Sequence, residues 1–216
     1  MPLASTIRPI RSGRLSRIRR SRRVLGAALA AVVAVSLTAC AQDPVAEQYL
    51  EGNDKGYISA DFTVVEIAPA DRGEPVEFQG ITESGDEFTS SQIAGDVTVV
   101  NFWYAACGPC RVEAKDLESV WQKYEGKDVS FVGVNTYDQA DTARAFADEY
   151  GITYPSLIDV DKGEAKLAFA SVTPIQATPT TLVLDKQGRV AARIIGQLDG
   201  PSILSTLVGD ALAESE

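Results

Sequence analysis

Val97-Thr98-Val99-Val100-Asn101-Phe102-Trp103-Tyr104-Ala105-Ala106-Cys107-Gly108-Pro109-Cys110 is the stretch on which the reading turns. Its first seven residues are β-branched, aromatic or buried-compatible with no polar alternation, the pattern of a strand covered on both faces. Its last four place two cysteines around Gly-Pro. Pro109 suits the first turn of a helix, where the missing N–H removes no bond. Further on, Leu117, Val120, Trp121 and Tyr124 recur at helical spacing, and Gly126 supplies a stop. A buried strand therefore runs into a helix whose first turn carries two thiols.

Working outward, Val129–Asn135 reads as a second buried strand and 141–150 as a helix closed by Gly151. Residues 154–158 suit a short strand and 162–169 a short helix. Two more strands, 180–185 and 189–195, flank Asp185-Lys186-Gln187-Gly188, a hairpin turn. A helix over 200–213 closes the chain, with Pro201 in its first turn. Upstream, Phe62–Val65 and Pro75–Phe78 are expected as small strands ahead of the main fold. The order predicts an α/β architecture: a central mixed β-sheet flanked by helices, with N-terminal extra strands and a central βα insertion.

The N-terminal 39 residues read as an address. Residues 1–23 are basic, and Val24–Ala39 is apolar or small throughout. As a helix it would span roughly 24 Å, short of a bilayer core of about 30 Å. A basic segment before a short apolar one is the pattern of a secretory signal. Leu37-Thr38-Ala39-Cys40 resembles a bacterial lipobox, which implies lipidation of Cys40; an ordinary cleavage site or an uncleaved helix is the alternative. Ser21-Arg22-Arg23-Val24-Leu25 also resembles a twin-arginine signal, so the export route stays open. The expected organisation is 1–39 signal peptide, 40–57 lipidated cysteine and polar tether, 58–216 one domain.

Charge and composition exclude several classes. Eight of the 20 bases lie in residues 1–39, leaving 12 bases against 30 acids and a net charge of −18 over residues 40–216. Such a domain repels phosphate backbones, so no nucleic-acid partner is expected. The chain has no histidine. That removes Ser-His-Asp and Cys-His catalysis and most zinc, copper and haem sites; neither metal nor cofactor is expected.

The cysteine pair carries the chemistry. At a helix N-terminus, partial positive charge and free N–H groups favour the thiolate, which is the attacking species. A purely structural disulfide over so small a loop would restrict the unfolded chain by only about 2 kcal/mol. A zinc site would lack ligands, and a buried reduced pair suits an exported protein poorly. Redox exchange is the expected role.

Residues 101–113, together with Val132-Gly133-Val134-Asn135, Tyr150–Pro155 and Ala177-Thr178-Pro179-Thr180-Thr181, resemble the TlpA/ResA-like membrane-anchored thioredoxins over about 58–213. The resemblance implies the thioredoxin fold and thiol-disulfide exchange by Cys107 and Cys110. It implies a cis Thr178–Pro179 bond beside Cys107 and substrate contact by Thr178, Pro179, Trp103, Gly108 and Pro109, although Trp103 better suits core packing. It makes Glu113 a carboxylate that tunes the cysteines, against the alternative of a solvated first-turn Glu. It further implies a reductant of exported proteins, among them apocytochrome c, recharged by a CcdA/DsbD-type membrane electron donor and lipid-anchored on the extracytoplasmic face of the cell membrane. A disulfide-introducing oxidase or isomerase, or a non-catalytic binding module, are the alternatives. Two departures stand out. Asn101 replaces the buried Asp of general thioredoxins, and Ala106 replaces the Trp usual before the first cysteine. Val100 and Tyr104 occupy positions where peroxiredoxins carry Pro and Thr, which disfavours peroxidase chemistry.

Overall fold

The computed structural model describes residues 63–214. The expected signal peptide, Cys40 and the tether lie outside the described residues, as do the first and last few residues of the expected domain. Eight strands are described: β1 Val64–Glu66, β2 Gln79–Ile81, β3 Glu87–Thr89, β4 Val97–Trp103, β5 Val129–Asn135, β6 Ser156–Ile158, β7 Thr180–Leu184 and β8 Val190–Ile195. The helices are α1 Gly108–Tyr124, α2 Ala140–Tyr150, α3 Glu164–Ala168 and α4 Pro201–Ala213.

Six strands form one mixed sheet in the order β1-β8-β7-β4-β5-β6. β4, β5 and β6 run parallel, joined by α1 and α2, while β7, β8 and β1 pair antiparallel. Every residue of β4 is buried. Alternate side chains of this strand enter two cores. Val97 and Val99 meet Leu117, Val120 and Tyr124 of α1 and Leu204 and Val208 of α4. Val100 and Phe102 face the other way, onto Phe78, Phe88 and Phe169. The thioredoxin fold, with β6 and α3 following α2 as the central βα pair, is the architecture expected from sequence.

The N-terminal part differs in detail. Pro75–Phe78 is not a strand. Its alternation of buried Val76 and Phe78 with exposed Glu77 comes from irregular backbone that inserts two side chains into the second core. The extra strands are β2 and β3, an antiparallel hairpin beginning one residue later. β1 is no separate layer either: Val64 pairs with Ile194 at the sheet edge. The second face is thus covered by the hairpin, α3 and three packed phenylalanines, with Phe78 centred 5.3 Å from Phe169 and Phe169 edge-on to Phe102 at 5.5 Å.

A buried ion cluster joins the ends of the fold. Arg72 donates to Asp185 Oδ2 at 2.9 Å and to both carboxylate oxygens of Glu214 at 2.6 and 2.7 Å. Asp185 also accepts the N–H groups of Gln187 and Arg189, which closes the β7–β8 turn. Replacing Arg72 by Ala leaves the 1% exposed Asp185 short of a cation. The expected loss is about 3 kcal/mol, the low end for breaking a buried pair, since Arg189 stays within 2.8 Å of the same carboxylate. Urea unfolding checks it as a lower midpoint with unchanged slope.

Candidate active site

β4 ends where its neighbour β7 begins. β4 delivers Tyr104, Ala105 and Ala106 to Cys107, the N-cap of α1. β7 is antiparallel to β4, with Thr180 opposite Phe102. The residues just before β7 therefore lie beside those just after β4. The Thr178–Pro179 peptide bond there is cis. The Thr178 carbonyl oxygen lies 3.9 Å from Cys107 Sγ.

Cys107 and Cys110 are joined by a disulfide, with their Cα atoms 5.3 Å apart. Cys107 Sγ also accepts the backbone N–H of Cys110 at 3.2 Å. This is the contact a helix N-terminus offers a sulfur, and it would favour the thiolate on reduction. Cys107 is 3% exposed and Cys110 2%. A partner must therefore seat closely to reach the sulfur, against exposed Ala106, Gly108 and Pro109 on one side and half-buried Thr178 on the other. Pro179 lies buried beneath, its carbonyl accepting the Gly196 N–H at 2.9 Å.

Trp103 is placed otherwise than as a substrate contact. It is 6% exposed, its ring centred 4.4 Å from Phe146, and its indole N–H donates to Ser156 Oγ at 3.2 Å. A side chain at Gly133 would collide with both groups, with Ser156 Oγ at 2.2 Å and Trp103 Nε1 at 2.8 Å from its Cβ. Trp103 is the wall behind Cys110, the packing alternative read from sequence.

Glu113 is fully buried, which removes the solvated alternative. It lies one turn beyond Cys110, on the α1 stripe that continues through Leu117, Val120 and Tyr124. Extending that apolar stripe back by four residues is the sequence signal for its burial. Asn101 Nδ2 donates to Glu113 Oε1 at 3.0 Å, and the Leu198 N–H donates to Oε2 at 2.9 Å. The same Asn101 amide donates to Thr181 Oγ1 at 3.0 Å. Burial pushes the Glu113 carboxyl up to about 7, although its two donors pull the other way; Asp116 adds a smaller upward push. Asn101 and Leu198 escaped the sequence reading because they come from distant segments. Among the described residues no group of three His, Cys, Asp or Glu could hold a metal ion.

This titration has a stability consequence. Unfolded, Glu113 titrates near 4.5; folded, near 7. Between those values the folded protein holds a proton that the unfolded chain lacks, so stability falls as pH rises. The contribution is whole below pH 4.5 and is lost as pH passes 7, on the order of 3 kcal/mol. In Glu113→Gln the fall between pH 5 and 7 is expected to flatten, as measured by urea unfolding of the oxidised protein at each pH.

The AhpC/TSA family model matches residues 73–193, more than half of the chain. The thiol-disulfide oxidoreductase ResA of Bacillus anthracis is 30% identical over 114 residues, 52% of this chain and 62% of that protein. The chain thus spans less than two thirds of the length of such ResA proteins. The thiol:disulfide interchange protein HelX of Rhodobacter capsulatus is 35% identical over 132 residues, 61% of this chain and 67% of that one. Among solved structures, a thioredoxin-family thiol:disulfide interchange protein from Chlorobium tepidum shares 28% identity at a TM-score of 0.61, covering 68% of this chain and 100% of that one. A DsbF homologue from Corynebacterium diphtheriae shares 26% at 0.61, covering 74% and 99%. With sequence match, fold and paired cysteines in agreement, the chain belongs to the AhpC/TSA family, and within it resembles the ResA-like thiol-disulfide oxidoreductases.

Proposed function

We propose that this protein is a thiol-disulfide oxidoreductase that reduces disulfides of exported proteins. The observation that carries the reading is the Cys107–Cys110 disulfide at the α1 N-terminus, with the Thr178 carbonyl beside Cys107. In the reduced enzyme the Cys107 thiolate attacks a substrate disulfide. One Cys107–substrate bond forms and one substrate thiolate leaves, taking a proton. Cys110 then gives up its proton and attacks Cys107 Sγ. The internal disulfide forms, the second substrate thiolate leaves, and two electrons have passed to the substrate.

Glu113 supports both the proton step and the direction. Its carboxylate, titrating near neutrality one turn from Cys110, suits a proton acceptor for that thiol. A cavity of about 10 Å³ lies beside Cys110, lined also by Asn101, Tyr154 and Ser156. It has roughly the volume of one water, so a proton could pass towards the Asn101–Glu113 pair. Once ionised, Glu113 disfavours a thiolate nearby. That weakens the reduced form relative to the disulfide and makes the dithiol a better electron donor.

The substrate-side and membrane-side proposals rest on the family resemblance and the N-terminal sequence. Apocytochrome c disulfides are candidate substrates, and a CcdA/DsbD-type membrane protein is the candidate donor that restores the dithiol. Lipidation of Cys40 would hold the domain at the extracytoplasmic face of the membrane. Val100, buried in β4, and Tyr104 stand where a peroxidatic site would carry Pro and Thr, so peroxidase chemistry is not part of this reading.

Changing Cys110 to Ser is expected to trap substrates as mixed disulfides on Cys107, identified by mass spectrometry; a Cys107→Ser/Cys110→Ser variant traps none. Redox titration should place the dithiol nearer thioredoxin, about −270 mV, than a disulfide-introducing enzyme at about −120 mV. A value near the latter favours the oxidase reading. The rate of internal disulfide closure should rise with pH through an inflection near 7, and Glu113→Gln should remove that inflection.

A further inference from the structure

Beside the dithiol, on the side away from Thr178, two tyrosines stand together. Tyr104 and Tyr137 have ring centroids 5.7 Å apart at an interplanar angle of 48°. Tyr104 packs against the cluster that holds Trp103, Cys107 and Cys110. Tyr137 is 72% exposed, an unusual state for so large a ring beside a reactive centre. We propose that this pair is an aromatic seat that takes a large apolar side chain within three residues of the reactive cysteine of an extended polypeptide substrate. The proposal rests on the oxidoreductase reading above.

The seat is built rather than incidental. Asn135, fully buried, accepts the backbone N–H groups of Tyr137 at 3.0 Å and Asp138 at 2.7 Å through Oδ1. Its Nδ2 donates to Asp138 Oδ2 at 3.0 Å. The same Asp138 oxygen accepts the Ala105 N–H at 2.6 Å, and Trp103 O accepts the Thr136 N–H at 3.1 Å. The loop bearing Tyr137 is therefore tied at two points to the loop bearing Tyr104. The Tyr104 carbonyl in turn accepts the Cys107 N–H at 3.1 Å. An exposed tyrosine on so constrained a backbone has only two side-chain torsions left to order, which keeps the entropic cost of binding low.

Strand order supplies the occupant. β7, β4 and β5 are successive neighbours. Thr178 before β7 and Tyr137 after β5 therefore flank the Cys107 loop on opposite sides. Two strand spacings separate them, about 10 Å, or about three residues of extended chain. A polypeptide held at the Thr178 backbone with its cysteine at Cys107 reaches the tyrosines with a side chain a few residues away. Exposed Ala106, with its small side chain, leaves that path open. Aromatic rings prefer tilted or edge-on partners, which an exposed ring already tilted against a neighbour offers.

The test uses the reduced full-length protein and two synthetic peptides. Each is supplied as a dimer joined through its single cysteine, and the two differ only in carrying Trp or Ala two residues from that cysteine. The second-order rate constant for dimer reduction is measured for each. The wild type should favour the Trp peptide by about 3- to 10-fold. Tyr137→Phe should keep that ratio, and Tyr137→Ala should bring it within about 2-fold of one. The ratio is insensitive to a general loss of activity or folding. A wild-type ratio near one, or a ratio unaltered in Tyr137→Ala, overturns the seat while leaving the oxidoreductase reading standing. Reduction of neither peptide by the wild type overturns both. A Tyr137-dependent dimer of this chain in sedimentation, with no peptide preference, assigns the rings to self-association instead and overturns the seat.

Discussion

β4 is enclosed on all sides: by β5 and β7 along its edges and by a core on each face. Its register is therefore fixed. A slip of one residue would turn Asn101 and Trp103 away from α1 and push Val100 and Phe102 into their places. Everything chemical hangs from the end of this strand. It launches α1 with Cys107 at the tip, and its antiparallel neighbour β7 brings the Thr178 carbonyl alongside. Its parallel neighbour β5 ends in the loop that Asp138 ties back to Ala105. The same strand contributes Asn101, the amide that links the α1 carboxylate to Thr181.

Two glutamates of α1 are buried, in different surroundings. Glu118 accepts from the Thr153 N–H, the Thr153 hydroxyl and Gln122 Nε2. It fastens the α2–β6 connection to α1, a structural task. Glu113 has only two donors, and the desolvation they leave uncompensated holds it near neutrality. The neighbouring phenol of Tyr154 is raised by burial first and then by the charges of Glu113 and Glu118. A carboxyl that gains and loses its proton near pH 7 at little cost is what acid–base chemistry requires.

Much of this was legible in advance, for a physical reason. β4 and β5 have the bounds read from sequence because strands covered on both faces carry unbroken β-branched and aromatic runs. The start of α1 was marked by Pro109, and the end of α2 by Gly151, which takes the left-handed conformation at φ 72°. The hairpin of β2 and β3 was not legible. Gln79, Ile81 and Glu87 are exposed and Phe88 is the one buried residue of the two strands, too little for an alternation to be read, while the irregular Val76–Phe78 imitates one. Nor could local pattern show Arg72 meeting Asp185 across 113 residues, or Tyr104 meeting Tyr137. Those contacts depend on strand order, which periodicity does not encode.

The segments that meet at the sulfur, 101–110 and 170–184, contain no charged residue in a domain rich in acids. Arg111, the first cation of α1, spends its Nε on the Ala105 carbonyl at 2.7 Å. The sulfurs therefore sit between two influences of opposite sign. The N–H groups at the α1 tip favour a thiolate, and the buried Glu113, when ionised, opposes one. The helix end is a permanent feature of the fold, whereas the carboxyl is not permanently charged. Protonation of Glu113 is thus the variable term at an otherwise neutral site, and a proton leaving Cys110 for Glu113 would remove the opposing charge at the moment the second thiolate is needed.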